Sequence, residues 1–241
     1  MAHQIDTVDV NGSSMEIFMY EPEGSGPHPG IVLCQHIPVG HAGIEVDDFT
    51  LATAQRYADA GFYVAAPFIF HWWPKEETMD VKREEFRDDW TALDLQAAFD
   101  HLASQGDVDE NRIGIIGHCW GGRVSLLGAC HNPNYAACGV FYGGRADVTM
   151  GPGTPPVTDL MGNINCPVVG FFGNEDQNPS PELVDKYAQS LSDGDVEHVF
   201  HRYDGAGHAF QNFPTPEKYR EEQSEDAWGK SIAFMKDKLA A

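Results

Sequence analysis

A cysteine stands between glycines where an apolar run gives way to a helical pattern. Residues 117–122 read Gly-His-Cys-Trp-Gly-Gly, which places Cys119 at the centre of a G-x-C-x-G motif. The apolar run 112–116 predicts a buried strand before the motif, and residues 123–130 predict a helix after it. On such a sharp turn a side chain projects above the sheet, and glycine neighbours leave room for a strained backbone. Because a helix N-terminus favours thiolate, the reactive form, Cys119 is the predicted nucleophile.

An acid and a base follow this cysteine along the chain. Asp176 comes shortly after the apolar run 167–172, and His208 lies in a loop of small residues after the predicted strand 197–203. Nucleophile, acid and base in this chain order predict a catalytic triad. His208 would act as general base and later as general acid, and Asp176 would orient its ring. Glu175 is the competing candidate for the acid.

A tetrahedral intermediate on Cys119 would need hydrogen-bond donors for its oxyanion. Trp120, which follows the nucleophile, would supply its backbone N–H at the start of the helix. The loop after the apolar run 31–34 would supply a second N–H, most simply that of Ile37. Losing one such donor typically lowers the rate by about 10²–10³-fold. Ile37 and Trp120 are therefore the predicted oxyanion hole.

Strand and helix patterns alternate along the chain, and no linker or repeat divides it. Asn11-Gly12 predicts a hairpin near the N-terminus, and continuous apolar runs such as 31–34 predict strands buried on both faces. A long polar helix is predicted over residues 81–104. These elements predict an α/β fold with a doubly wound, mostly parallel central sheet flanked by helices, formed as a single domain by residues 1–241. The catalytic candidates would then meet at the carboxyl edge of the sheet.

Composition limits the partners and the compartment. The 241 residues carry 37 acidic and 15 basic side chains, a net charge of -22 that disfavours nucleic acid and anionic membrane surfaces as partners. Five cysteines without a C-x-x-C pair favour a reducing, cytoplasmic setting, and neither a signal peptide nor a membrane-spanning run is apparent. A small molecule is the expected partner, and the sequence leaves open whether the protein is a monomer or a homodimer.

Four motifs spread over nearly the whole chain resemble those of the dienelactone hydrolase (carboxymethylenebutenolidase) family, whose members are α/β-hydrolases with a cysteine nucleophile. The matching segments are Gln35-His36-Ile37, Gly117-x-Cys119-x-Gly121-Gly122, Gly173-x-x-Asp176 and Ala206-Gly207-His208-Ala209-Phe210. The resemblance implies an α/β-hydrolase fold in which a Cys-His-Asp triad hydrolyses lactones or activated esters. It also implies a thioester intermediate, and a reaction that uses neither metal nor cofactor.

Two regions depart from the family pattern. His36 stands where family members that open dienelactone have a glutamate beside the resting thiol. The family arginines that grip the dienelactone carboxylate are matched here by Trp72 and Trp73 in one region and by Gln211 and Asn212 in the other. A strongly acidic protein without those cations should bind an anionic lactone poorly. The expected substrate is therefore a neutral, aryl-bearing ester or lactone, with dienelactone itself as an alternative.

The aromatic loop at residues 68–73 follows a predicted strand and is a candidate wall of the substrate pocket. The other interpretation of this loop is that its rings simply cover the core. His118, beside the nucleophile, is predicted to be structural. The residues predicted to line the pocket are His36, Phe70, His71, Trp72, Trp73, Tyr142 and Phe210.

Three other functions remain open from the sequence. The same triad could attack phosphotriesters, as its main or as a side activity. A zinc site is a further alternative, although no H-x-x-x-H or H-E-x-x-H spacing supports it. Its candidate ligands are His36, His41, His71 and His208. A non-catalytic binding protein is disfavoured, because binding alone needs no nucleophile, acid and base.

Overall fold

The computed structural model describes residues 4–37 and 39–240. The strands are β1 Gln4–Val10, β2 Ser13–Tyr20, β3 His28–Cys34, β4 Tyr63–Pro67, β5 Val108–His118, β6 Ala137–Phe141, β7 Val168–Gly173 and β8 His198–Tyr203. They form one eight-stranded sheet in the order β1-β2-β4-β3-β5-β6-β7-β8. β2 pairs antiparallel with both β1 and β4, and every later pair of neighbours is parallel. The prediction of an α/β fold with a doubly wound, mostly parallel sheet is confirmed.

Helices cover the sheet, and two of them begin at well-formed caps. Within the described residues the α-helices are α1 Asp48–Asp59, α2 Met79–Glu84, α3 Asp88–Ala103, α4 Trp120–His131, α5 Val157–Leu160, α6 Pro181–Asp193 and α7 Glu221–Lys238. The Asp47 carboxylate accepts the N–H of Thr50 at the start of α1, and the Ser180 hydroxyl accepts the N–H of Leu183 at the start of α6. Across residues 4–37 and 39–240, no helix has both the length and the apolar character needed to cross a membrane.

The prediction of a single long helix over residues 81–104 is wrong, because the structure has two helices there. Residues 85–87 leave the helical path between α2 and α3. Phe86 turns into the core, where only 2% of its surface is exposed. The break also sets Asp88 at the start of α3, where its carboxylate bonds to Arg123 Nη1 over 2.6 Å. Burial of one ring and pairing of one charge thus outweigh the continuous helical pattern of the sequence.

The sheet has its topological switch point beside β3, where successive strands are added on opposite sides. From β3 the chain returns through α1 to β4 on one side, and then passes through α2 and α3 to β5 on the other side. In open α/β sheets, the crevice at such a point, outside the carboxyl ends of the strands, commonly binds the ligand. Here β3 leads into Ile37 and β5 leads into Cys119. The topology therefore brings the predicted nucleophile and a predicted oxyanion residue to one crevice.

Candidate active site

Cys119 occupies a sharp turn between β5 and α4. Its φ is 58° and its ψ is −118°, and its N–H donates to the carbonyl of Phe141 over 2.9 Å. A Cβ at Gly117 would collide with the carbonyl of Gly121, and a Cβ at Gly121 would collide with that of Cys34. Both glycines are needed because the end of β3 and the start of α4 lie against this turn. The turn holds the thiol above the sheet edge.

Cys119, His208 and Asp176 form a continuous hydrogen-bonded chain. His208 Nε2 lies 3.0 Å from Cys119 Sγ, and His208 Nδ1 lies 2.9 Å from Asp176 Oδ2. Asp176 is buried, and its other oxygen accepts the N–H of Asn178 over 2.8 Å. Glu175 is exposed instead. The structure thus brings Asp176 rather than Glu175 to the histidine, and it leaves His208 Nε2 to exchange a proton with the sulfur.

The His208 imidazole holds its proton strongly. Burial lowers its pKa, but hydrogen bonds to Asp176 and Cys119, with the charges of those groups, outweigh burial and raise the pKa from 6.5 to about 10. An imidazolium beside the sulfur stabilises thiolate, and so does the N-terminus of α4. A protonated His208 ring whose Nε2 lies 3.0 Å from Cys119 Sγ is placed to give a proton to a leaving group at the sulfur.

The raised pKa of His208 predicts a late alkaline limit to catalysis. Since the imidazolium must protonate the leaving group, kcat/KM should fall as pH rises through about 10, rather than near the ordinary histidine value of 6.5. Asp176→Asn removes a carboxylate that raises this pKa, so its alkaline limb should lie at lower pH. The measurement is the pH profile of kcat/KM with an alkyl ester whose alcohol is a poor leaving group. An alkaline limb near 6.5 in the unmodified enzyme would contradict the raised pKa of His208.

A cavity of about 310 Å³ opens beside the thiol. Among the residues predicted from the sequence, it is lined by Cys119, His208, Ile37, Trp120 and His36. Trp120 is the first residue of α4, where a backbone N–H has no acceptor within its own helix. The N–H of Ile37 has no backbone acceptor in the described part of the chain, and its carbonyl lies 4.0 Å from Cys119 Sγ. Their role as oxyanion donors stays a prediction that this placement supports.

Three cations line the same cavity, so the prediction of a pocket without cations is wrong. They are Arg83 from α2, Arg145 from the loop after β6, and Lys218 from the segment before α7. All three are exposed. None of their side chains has an ion pair or hydrogen bond to the residues that the structure describes. Only Arg145 carried a usable signal in the sequence, since it follows Gly143-Gly144 at the carboxyl end of a predicted strand.

The aromatic loop does not line this cavity, contrary to the prediction. Phe70 is fully buried, and the Trp73 ring packs on it with centroids 6.3 Å apart. Trp72 Nε1 donates to Asp94 Oδ2 over 3.1 Å, and His71 Nε2 lies 2.9 Å from Asp94 Oδ1. Burial raises the pKa of Asp94, and these ring contacts counteract part of that rise. The loop turns inward to satisfy a buried carboxyl, as expected if its rings cover the core.

Tyr142 and Phe210 lie behind His208 rather than in the cavity wall. The Tyr142 ring meets the His208 ring edge-on with centroids 5.5 Å apart, and Phe210 packs on Tyr142 at 5.3 Å. Both side chains are fully buried. The prediction that they line the pocket is therefore corrected: they support His208 from the core side, because their rings fill the space between the loop and the sheet.

Two histidines flank the thiol without joining the triad. His36 Nδ1 lies 3.1 Å from Asp47 Oδ2, and His36 Nε2 is buried without a partner among the described residues. His118 stacks on Phe141 with ring centroids 4.3 Å apart. Burial, and the nearby His36, lower the pKa of His118 to about 3, which keeps the ring neutral. The packing of His118 agrees with a structural role.

The zinc alternative gains no support from side-chain placement. The described residues contain no group of three or more His, Cys, Asp or Glu side chains that could hold a metal ion. Of the four histidines considered, His71 is bonded to Asp94 and Ser13, and His208 is bonded within the triad. The chemistry that this arrangement can perform is nucleophilic attack by sulfur with acid–base assistance from imidazole.

Two named relatives align with this chain over most of its length. A protein named "Putative carboxymethylenebutenolidase" from Escherichia coli K12 is 27% identical over 245 aligned positions, which cover 95% of this chain and 85% of the relative. A protein of the same name from Methylorubrum extorquens is 30% identical over 217 positions, covering 86% of this chain and 71% of the relative.

Solved structures share the fold. A "Putative Dienelactone Hydrolase" from Klebsiella pneumoniae superposes with a TM-score of 0.81 at 25% identity, covering 98% of this chain and 99% of the other. A "Dienelactone Hydrolase-like Promiscuous" phosphotriesterase from metagenomic libraries gives a TM-score of 0.79 at 18% identity, covering 98% of each chain, which is a likeness of fold. The sequence profile of the dienelactone hydrolase family matches residues 15–239. The chain therefore belongs to the dienelactone hydrolase family and is a hydrolase with the α/β-hydrolase fold.

Proposed function

We propose that this protein is a cysteine hydrolase of lactones or esters that carry an anionic group. One observation supports this most strongly: the Cys119–His208–Asp176 chain opens into a cavity bordered by three cations without partners. The hydrogen-bonded chain supplies nucleophile, acid and base, and the cations supply charge complementary to a carboxylate. The anionic substrate replaces the neutral ester expected from the sequence, because the cations lie at the site after all.

The first half-reaction forms a thioester. Cys119 Sγ attacks the carbonyl carbon, and the N–H groups of Ile37 and Trp120 stabilise the oxyanion. When this intermediate collapses, the bond from carbon to the leaving oxygen breaks and His208 Nε2–H donates its proton to that oxygen. In an ester the alcohol departs, whereas in a lactone it remains tethered to the acyl part. Attack as thiolate leaves the thiol proton on His208, which is the proton that the leaving oxygen then receives.

The second half-reaction restores the resting enzyme. His208, now neutral, removes a proton from water, and the resulting hydroxide adds to the thioester carbon. Collapse then expels Cys119 as thiolate and releases the acid, while His208 remains protonated. Asp176 fixes the orientation of the His208 ring, since Asp176 Oδ2 lies 2.9 Å from Nδ1. The ring therefore keeps Nε2 toward the cavity in both steps.

Five of the fifteen lysines and arginines have no side-chain partner among the described residues, and three of the five line this one cavity. Most other lysines and arginines of the described residues bond to carboxylates or backbone carbonyls, with Lys186 and Lys236 as the remaining exceptions. In a chain with a net charge of -22, cations left unpaired around one cavity indicate a site that is complementary to an anion from outside.

Removing one of these charges should discriminate between substrates. Arg145→Gln is expected to lower kcat/KM about 5-fold for the p-nitrophenyl monoester of succinic acid, because an ion pair at an exposed position contributes up to about 1 kcal/mol. For p-nitrophenyl butyrate, a neutral ester of similar size, the change should stay within about 2-fold. Lys236→Gln, which removes an unpaired charge far along α7, is the matched control. Equal losses on both esters in Arg145→Gln would contradict an anion-binding role.

Phosphotriesters remain a second candidate substrate, supported by the likeness in fold to the metagenomic phosphotriesterase. A neutral triester such as paraoxon would use the nucleophile but not the cations. We therefore expect Cys119→Ala to abolish any paraoxon hydrolysis, and Arg145→Gln to leave it nearly unchanged. Paraoxon turnover that survives Cys119→Ala would place that activity outside this site.

A further inference from the structure

A second cavity, of about 210 Å³, adjoins the catalytic cavity. The two cavities share His36, Asn212 and Lys218 along their boundary. A ligand bound over Cys119 would have to pass only these side chains to reach the second cavity. This adjacency distinguishes the second cavity from an unrelated surface hollow.

Apolar atoms supply most of the exposed wall of the second cavity, although Asp47, Asp48 and Lys218 also line it. Val39 and Val46 contribute to it with 47% and 54% of their surfaces exposed, beside buried Phe49. Phe213, which is 47% exposed, has its ring 6.1 Å from that of Phe49. Val39, Val46 and Phe213 are three of the six large apolar side chains that are exposed among the described residues, and Phe213 adjoins the lining through Phe49. Apolar side chains gathered at one exposed position indicate that a ligand covers them in use.

The boundary between the cavities carries two buried acceptors without partners. With the Nδ1–H of His36 donating to Asp47, its Nε2 is left as an acceptor, and that atom is buried and unpaired among the described residues. Asn212 Nδ2 donates to Thr215 Oγ1 over 3.0 Å, and Asn212 Oδ1 is likewise buried and unpaired. His36 and Asn212 are only 4% and 8% exposed. Two such acceptors call for a hydrogen-bond donor on whatever spans the boundary.

We propose that the second cavity is a substrate subsite for an apolar group that carries a hydroxyl. The apolar group would cover Val39, Val46 and Phe49, and the hydroxyl would donate to His36 Nε2 or Asn212 Oδ1. This proposal rests on the proposed function, since it assumes that the substrate is an ester or lactone attacked by Cys119. The substrate then has two recognised ends. One is an anionic group that lies among the cations, and the other is a hydroxylated hydrocarbon group that lies across the boundary in the second cavity.

A charge placed in the apolar lining tests the first half of the proposal. Val46→Asp should lower the ratio of kcat/KM for p-nitrophenyl hexanoate to that for p-nitrophenyl acetate by about 10-fold, since the longer chain loses apolar cover. A second arm compares 2-naphthyl acetate with phenyl acetate and shows whether the alcohol side fills the cavity instead. Val199→Asp, an exposed valine on β8, is the matched control and should leave both ratios unchanged. Val39→Asp repeats the test if Val46→Asp does not fold.

A series of hydroxylated esters tests the second half. Within a set of p-nitrophenyl hydroxyhexanoates that differ in hydroxyl position, at least one should exceed the parent hexanoate in kcat/KM by about 5-fold or more. At least one of Asn212→Leu and His36→Leu, each of which removes one of the two acceptors, should remove that gain. Ratios that do not respond to either valine variant in either arm would overturn the subsite, as would hydroxyl esters that are all poorer than the parent. In those cases hydrolysis would still depend on Cys119, whereas failure of the proposed function would show as hydrolysis indifferent to Cys119→Ala.

Discussion

Replacing Cys119 with alanine is expected to lower kcat by about 10⁴–10⁶-fold, because removing the nucleophile of a triad costs about as much as removing the whole triad. The Cys119 thiol is the proposed site of the covalent intermediate, and His208 Nε2 lies 3.0 Å from it. Folding should be retained, since the variant removes one sulfur atom from a side chain that is half-buried beside the cavity. The measurement is steady-state hydrolysis of p-nitrophenyl acetate, with circular dichroism to show that the variant is folded.

Cys130→Ala is the matched control for this experiment. Cys130 lies near the end of α4 and is also a free, half-buried cysteine, but burial raises its pKa to about 12, so that it remains a thiol. Its removal should change kcat by less than about 2-fold. Equal activity in the two variants would disprove the triad. Mass spectrometry of the acylated enzyme should place the acyl group on the peptide that contains Cys119 and not on the one that contains Cys130.

Replacing Asp88 with alanine is expected to lower the free energy of unfolding by about 3–5 kcal/mol, because it leaves a buried guanidinium without its counter-charge. Arg123 is fully buried, and its two terminal nitrogens bond to the two oxygens of Asp88 over 2.6 and 2.8 Å. Arg123 also donates to the carbonyls of Arg145 and Val148 over 3.0 and 3.1 Å. Loss of Asp88 should therefore also disturb the loop that carries Arg145 to the cavity.

Urea denaturation at neutral pH measures this loss of stability. The adjacent Asp89→Ala is the control, since Asp89 pairs with Arg87 at the surface and such pairs contribute about 1 kcal/mol or less. A loss for Asp88→Ala no larger than that for Asp89→Ala would show that the buried pair adds nothing. The same variants, assayed on anionic and neutral esters, should show whether the displaced loop weakens anion binding in the molecules that remain folded.

The parts of the site that follow strand ends were predictable from the sequence. In a parallel sheet every carboxyl end lies at one edge, so the order of Cys119, Asp176 and His208 along the chain is enough to place them together. The glycines around the cysteine were informative for a steric reason: the backbone segments approach each other so closely there that no side chain fits. The fold class was predictable because strand and helix patterns alternate throughout. Glu175 and Asp176 could not be separated in this way, because neighbouring residues in a loop differ only in which of them turns inward.

The cations and the aromatic loop were not predictable by that logic. Arg83 and Lys218 come from segments whose path depends on long-range packing, and no motif adjoins them. Trp72 is drawn inward by the buried carboxyl of Asp94, a residue 22 positions away along the chain. The break before Asp88 likewise depends on Arg123, a partner 35 positions away. Pairing of buried charges depends on residues that are far apart in the chain, and the spacing of apolar residues along the sequence does not show which of them meet.

The three cations at the cavity also have a consequence for turnover. Hydrolysis of an ester creates a carboxylate, so the acid left in the cavity is more negative than the substrate from which it came. On the proposed function, we expect Arg83, Arg145 and Lys218 to hold the product more tightly than the substrate. Departure of the product, and not bond cleavage, would then be the slow step, and small anions of the medium such as phosphate would compete for the same charges.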